Sequence, residues 1–303
     1  MTEQPLPLII YVPGLLPKPE PAAHREALLR CLLTGVRRVD EDVARAIEAH
    51  DSLFEVVSWT YDFYREHRDI SIDLASIDAV IEQRTASPKD IAEATSFRRR
   101  LSRWIYRLGD LMPFLIPHVA SERMEVHLRD LRRYLGDDNG IAAHTRRMLK
   151  VPLQAATQMH RPVLLIGHSM GSVIAYDSLW ELTHDGRDHA HVDLLLTMGS
   201  PLGQRYMQRR LKGAQKTGYG RYPSNIRRWI NLAAVGDLTA LDRQFLDDFE
   251  EMLDLGLIES LEDEAILTYY RLDGELNVHA EYGYLVHEKT AHTIVEWWRG
   301  LGN

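Results

Sequence analysis

The sequence predicts an α/β protein, a mostly parallel sheet with helices on both faces. Three observations predict it. Short apolar runs rich in Val, Ile and Leu recur along the chain and are bounded by Gly, Pro or Asp. Runs of this kind mark strands buried on both faces, as in parallel sheets. Segments with apolar residues at helical spacing lie between them, and that alternation implies βαβ crossovers. Composition agrees: 303 residues, 45% hydrophobic and 26% charged, lie in the range of a packed globular chain. One domain over 1–303 is expected, with a helical insertion at 70–160.

The elements follow in order. "LPLIIYV" from Leu6 to Val12 reads as a strand stopped by Pro13-Gly14. "FEVVSW" from Phe54 to Trp59 reads as the second, and Val163 to Ile166 as the third. "VDLLLTM" from Val192 to Met198 is the fourth, and "IRRWINLA" from Ile226 to Ala233 the fifth. A sixth is expected at Ile266 to Leu272. After Ser169, Val173, Tyr176 and Trp180 fall on one helical face; near the other end of the sequence, Ala291, Ile294, Val295 and Trp298 do the same. Between about 70 and 160 strand character is nearly absent, and "SFRRRLSRWIYRLGDLMPFLIPHV" carries an apolar stripe beside a basic one. Such an insertion reads either as a cap or lid or as a thickening of one side of the domain.

Several classes are excluded by composition. A formal charge of -8 argues against wholesale nucleic-acid binding. A single cysteine, Cys31, allows no disulfide framework and no multi-thiolate metal site. "GDDNG" lacks the ligand spacing of a calcium loop and reads as a turn. "MTEQPLPLIIYVPGLL" has no basic leader region, and Pro13-Gly14 breaks its apolar run, so neither a signal peptide nor a membrane span is expected. A cytoplasmic protein without metal or organic cofactor is the resulting expectation.

The stretch with the most chemistry is "PVLLIGHSMGSVIAYD". Its Gly167-His168-Ser169-Met170-Gly171 is G-x-S-x-G, placed after an apolar strand and before a helix. The bare motif is common. In this setting it describes a sharp strand-to-helix turn that lifts a serine hydroxyl above the sheet. Gly167 and Gly171 are the small neighbours such a turn requires. A serine hydroxyl needs a histidine base and an orienting carboxylate. With this elbow, acid and base follow the serine in that order. "WINLAAVGD" delivers Asp237 just past a strand, with Asp242 as rival. Of the later histidines, His279 lies in a loop, "ELNVHAEYGYL". His287 stands where it can cap the last helix, and His292 lies off that helix's apolar stripe. His168 precedes the serine and points away from its hydroxyl. Two N–H donors for an oxyanion are expected from Met170 and from the loop after the first strand, where Pro13 has none, leaving Gly14 or, preferably, Leu15.

These stretches, "YVPGLL", "LLIGHSMGSVIAYD", "LLLTMGSPLG", "WINLAAVGD" and "NVHAEYGYL", resemble the α/β-hydrolase superfamily on its lipase and esterase side. The resemblance spans the expected sheet and leaves out the insertion. It implies an α/β-hydrolase fold and a serine hydrolase cleaving carboxylic esters, with Ser169, Asp237 and His279 as triad. Where many members carry His-Gly after the first strand, this chain has Pro13-Gly14.

Two segments bear on the substrate. From Pro201 to Arg228 there is no Asp or Glu, but Arg205, Arg209, Arg210, Lys212, Lys216, Arg221, Arg227 and Arg228 are present. This run reads either as an anion or membrane-surface site or as a solvated segment paired with the acidic run Asp247, Asp248, Glu250, Glu251 and Asp254. The expected partner is a small acyl ester or lipid, with peripheral membrane contact as an option. Thioester cleavage or acyl transfer on the same triad, and a non-catalytic binding protein, are the rival readings.

Overall fold

The apolar runs become the strands of one parallel sheet. In the computed structural model, which describes residues 5–96, 122–184, 190–237 and 245–301, they are β1 (Leu8–Val12), β2 (Phe54–Val56), β3 (Val163–His168), β4 (Val192–Met198), β5 (Ile226–Ala234) and β6 (Ser260–Ile266). Their order across the sheet is β2-β1-β3-β4-β5-β6, and every neighbouring pair is parallel. A separate antiparallel hairpin follows, β7 (Arg271–Leu272) and β8 (Glu275–Leu276).

Register explains why the strands read as unbroken apolar runs. Ile10, Leu165, Leu195, Trp229 and Leu261 lie in one row across the sheet. They face a core completed by helices Ile141–Gln158 and Met170–His184. The next row, Tyr11, Ile166, Leu196 and Ile230, faces the opposite core, under helices Pro21–Val39, Ser71–Glu82 and Glu288–Gly300. Each fully buried Leu, Ile or Val contributes about 1.5–3 kcal/mol, so both faces of the central strands must be apolar.

The strand order reverses direction between β1 and β3. Loops leaving their carboxyl ends therefore part to opposite sides and open a crevice there, the usual place for a ligand in an open α/β sheet. Both the Gly14 loop and Ser169 issue from these two strand ends.

One expected strand is corrected, and two expected helical faces are wider than their stripes. The sixth strand is Ser260–Ile266, not Ile266 to Leu272; its "SLEDEAI" is an edge strand whose acidic side chains hide it in a hydropathy reading. Asp263 accepts from Asn231 Nδ2 at 2.7 Å, and Glu264 pairs with Lys289. The helix after Ser169 has no solvent face in its first turns, since Met170 to Leu179 are all buried between the sheet and flanking segments. In the last helix Trp297 is buried and Trp298 is only partly so, which rotates the packed stripe toward Trp297. Between β2 and β3 the described residues contain helices and no strand. The basic and apolar stretch around 98–117 lies outside the described residues. Among those described, no helix is long and apolar enough to cross a membrane.

Candidate active site

Ser169 stands at the end of β3 with φ +53°. A serine in the left-handed region costs of order 1–3 kcal/mol and persists only where its surroundings fix it. Here they do. Its N–H donates to Met198 O at 2.8 Å, and its own carbonyl accepts from Ser172 N at 3.0 Å and Ser172 Oγ at 2.5 Å. The two glycines give the turn its room. A Cβ on Gly171 would lie 2.0 Å from Val12 O, and one on Gly167 would lie 2.7 Å from Ser172 Cα. The helix Met170–His184 thus starts pressed against the end of β1.

The expected acid and base meet this serine. His279 Nε2 lies 3.0 Å from Ser169 Oγ, and His279 Nδ1 lies 2.8 Å from Asp237 Oδ2. The carboxylate can only accept, so the ring proton sits on Nδ1 and Nε2 is left as acceptor for the serine O–H. Asp237 is 1% exposed, Ser169 9%, and the His279 side chain 32%. Asp237 is enclosed, whereas His279 keeps access to solvent and Ser169 only a little. Asp237 follows β5 after the Gly236 turn, and His279 follows the β7–β8 hairpin, with its N–H donating to Asn277 Oδ1 at 3.2 Å.

The loop after β1 closes the other side. Gly14 is so near that a Cβ would stand 2.8 Å from Ser169 Cβ and 3.3 Å from its Oγ. Both ends of this loop are fastened. Trp59 Nε1 donates to Pro13 O at 2.9 Å; Leu16, at φ +74°, donates its N–H to Tyr64 Oη at 3.0 Å. Leu15 lies half-buried between the fastened ends. Met170 opens its helix, so its N–H has no intrahelical acceptor. An open cavity of about 720 Å³ adjoins Tyr64, lined also by Glu66, Arg129, Asp130, Arg133 and Asp138.

The other candidates fall elsewhere. His287 caps the last helix, accepting from Lys289 N at 3.0 Å, and His292 is exposed beside Glu288. Asp242 lies outside the described residues. The basic segment is tied down, but mostly by partners other than those expected. Arg221 reaches Glu251 at 4.0 Å, whereas Lys212 pairs with Glu181 at 3.3 Å and Arg227 with Glu259 at 2.9 Å. Lys216 sits over the Trp180 ring and Arg210 over Tyr206. Among the described residues no group of three or more His, Cys, Asp or Glu is placed to hold a metal ion.

Sequence reasoning missed the supports. Tyr284 donates its O–H to Asp237 Oδ2 at 2.9 Å and accepts Ala234 N–H at 2.8 Å, fixing the acid to the end of β5. Burial, then the Asp237 charge, pushes the Tyr284 hydroxyl well above its ordinary pKa, so it stays a donor. Ser172 joins Ser200 through a 2.7 Å contact between hydroxyls. No spacing in the chain announces these pairs, which are brought together only by the fold.

No family model matches this chain, and neither the curated proteins nor the solved structures searched contain a match.

Proposed function

We propose that this chain is a serine hydrolase of the α/β-hydrolase kind, cleaving a carboxylic ester of a small acyl compound or lipid. The observation that carries the reading is the relay from Ser169 Oγ through His279 to Asp237, at 3.0 and 2.8 Å, on a left-handed elbow at the strand-order reversal. Ser169 Oγ attacks the acyl carbon as its proton passes to His279 Nε2. Asp237 holds the ring and stabilises the imidazolium. The N–H groups of Met170 and Leu15, or Gly14, receive the oxyanion. When the bond to the leaving oxygen breaks, His279 returns the proton to the alcohol. Water, deprotonated by His279, then attacks the acyl-enzyme, releases the acid and restores the Ser169 hydroxyl.

Lys212, Arg221 and Arg227 of the basic segment are ion-paired, which supports a structural part for it over an anion site. Ester cleavage with a free acyl chain therefore accounts for the site better than cleavage of a phosphate-bearing thioester. The test is covalent labelling by a fluorophosphonate, wild type against Ser169→Ala, followed by a p-nitrophenyl ester series of rising chain length. Labelling of the wild type alone, with ester turnover, is expected. Faster turnover of thioesters, or transfer to an added alcohol, would replace the ester reading on the same triad. A folded wild type that stays unlabelled would overturn it in favour of a binding protein.

A further inference from the structure

Two residues past His279 the chain buries a carboxylate that takes no part in the relay. Glu281 is buried at the start of helix Glu281–Leu285. Its Oε1 accepts from Lys18 Nζ and from His24 Nε2, both at 3.0 Å, and its Oε2 accepts from Tyr11 Oη at 3.0 Å. Burial opposes the charged form, yet Lys18 and His24 hold the carboxyl well below the usual range. Lys18 belongs to the loop that carries Gly14 and Leu15. Glu281 belongs to the segment that carries His279. Their ion pair therefore joins the two loops that flank Ser169.

A second tie runs from the elbow itself. His168 Nε2 lies 2.8 Å from the carbonyl oxygen of His279. That oxygen only accepts, so Nε2 carries the proton and donates. His168 Nδ1 is buried without a hydrogen-bond partner, 3.9 Å from Glu281 Oε2. Burial first, and His279 next, hold the pKa of His168 down to about 3, so its ring is neutral. The ring stands 4.9 Å from that of His279 and 5.7 Å from Tyr284. Cys31 and Tyr282 complete the titratable groups near the Glu281 carboxylate. The base is thus gripped at its own carbonyl from β3, and two residues later from the loop after β1.

We propose that His168 and Glu281 are positioning residues. His168 fixes the His279 backbone to the elbow, and Glu281, through Lys18, fixes the base segment to the oxyanion loop, so that base and oxyanion donors keep one spacing around Ser169. The proposal rests on the hydrolase reading above and names what sets its geometry. A displacement of about 1 Å at such a site costs on the order of 100-fold in rate, while ground-state binding changes little. A displaced His279 also loses part of its hydrogen bond to Asp237, which holds the ring in its productive orientation.

The test uses the full chain with p-nitrophenyl butyrate and three variants. His168→Phe keeps an aromatic ring, though a larger one, and removes the donor. His168→Gln places an N–H at similar reach. Glu281→Gln keeps the shape and removes the charge. His168→Phe is expected to lower kcat about 10- to 100-fold, with KM within about 3-fold of wild type. His168→Gln is expected to recover most of the lost kcat. Glu281→Gln is expected to act like His168→Phe, about 10-fold in kcat, and carries the test if His168→Phe does not fold. Wild-type kcat in folded His168→Phe and Glu281→Gln proteins would overturn the proposal, as would equal losses in His168→Phe and His168→Gln. If the wild type shows neither labelling nor turnover, the hydrolase reading fails by itself. Positioning is then read from the NMR resonance of the His279 Nδ1 proton, which is bonded to Asp237, in wild type and His168→Phe: an upfield shift or loss of that signal in the variant supports it, and an unchanged signal overturns it.

Discussion

Two buried carboxylates stand on either side of the His279 segment, and they have nearly the same partners. Asp237 accepts from a tyrosine hydroxyl, Tyr284, and from a histidine, His279. Glu281 accepts from a tyrosine hydroxyl, Tyr11, and from a histidine, His24, with Lys18 as a third donor. The difference lies beyond the carboxylate. The His24 side chain is 2% exposed, on the buried face of helix Pro21–Val39, whereas His279 is 32% exposed and turns its second nitrogen onto Ser169. On the hydrolase reading, the same carboxylate–histidine pair makes an anchor when closed and an acid–base relay when one ring nitrogen keeps access to a hydroxyl. Access, not pairing, separates the two.

The comparison can be sharpened by removing each charge in turn. The largest expected effect is at the open pair. Asp237→Asn should lower kcat by about 10³- to 10⁴-fold, since the carboxylate holds the tautomer and balances the imidazolium. Its melting temperature should move less than that of Glu281→Gln, which strands Lys18 in a half-closed site. Thermal melts beside steady-state kinetics read this directly, and the comparison breaks if the two variants trade places.

The tyrosines come next. Tyr284→Phe removes a donor to Asp237 and leaves the Ala234 N–H without its acceptor. About 1–2 kcal/mol of stability and roughly a 10-fold loss in kcat are expected. Tyr11→Phe should cost a similar amount of stability with a smaller change in kcat, because its hydroxyl serves only the closed pair. Parallel denaturant melts and ester assays of the two variants decide it.

The smallest effect is a pH dependence. Glu281 has a folded pKa depressed below its ordinary 4.5, so the stability it supplies is present above about 4.5 and is lost as pH falls toward its folded value. His168 is depressed to about 3 from 6.5, so the unfolded chain binds more protons between those values and stability also falls as pH drops through that window. Urea melts from pH 7 to pH 3 should show a steady loss for the wild type. His168→Gln should flatten the curve from about 6.5 down to about 3, and Glu281→Gln only the part below about 4.5. A variant curve parallel to wild type would remove that group from the account.

Much of this architecture was legible because parallel strands must be apolar on both faces. Val192–Met198 was read to the residue, and the Ser169 elbow followed from two glycines flanking a serine between strand and helix. The edge strand Ser260–Ile266 was not legible, since an edge tolerates "EDE" that a central strand would not. The acid and base could be ordered along the chain because each follows a strand or hairpin end. Their supports could not: Tyr284 reaches Asp237 across 47 positions and His168 reaches His279 across 111, and no periodicity encodes such distances.

By itself the sequence determined the strands, the elbow and the types of residue able to form a relay, because local sterics and two-sided burial act on neighbours in the chain. Only the tertiary structure decided which carboxylate faces which histidine. That choice depends on the reversal of strand order between β1 and β3 and on loops arriving at one place from distant parts of the chain. It leaves one histidine open to a hydroxyl and seals the other against a carboxylate that a lysine also holds.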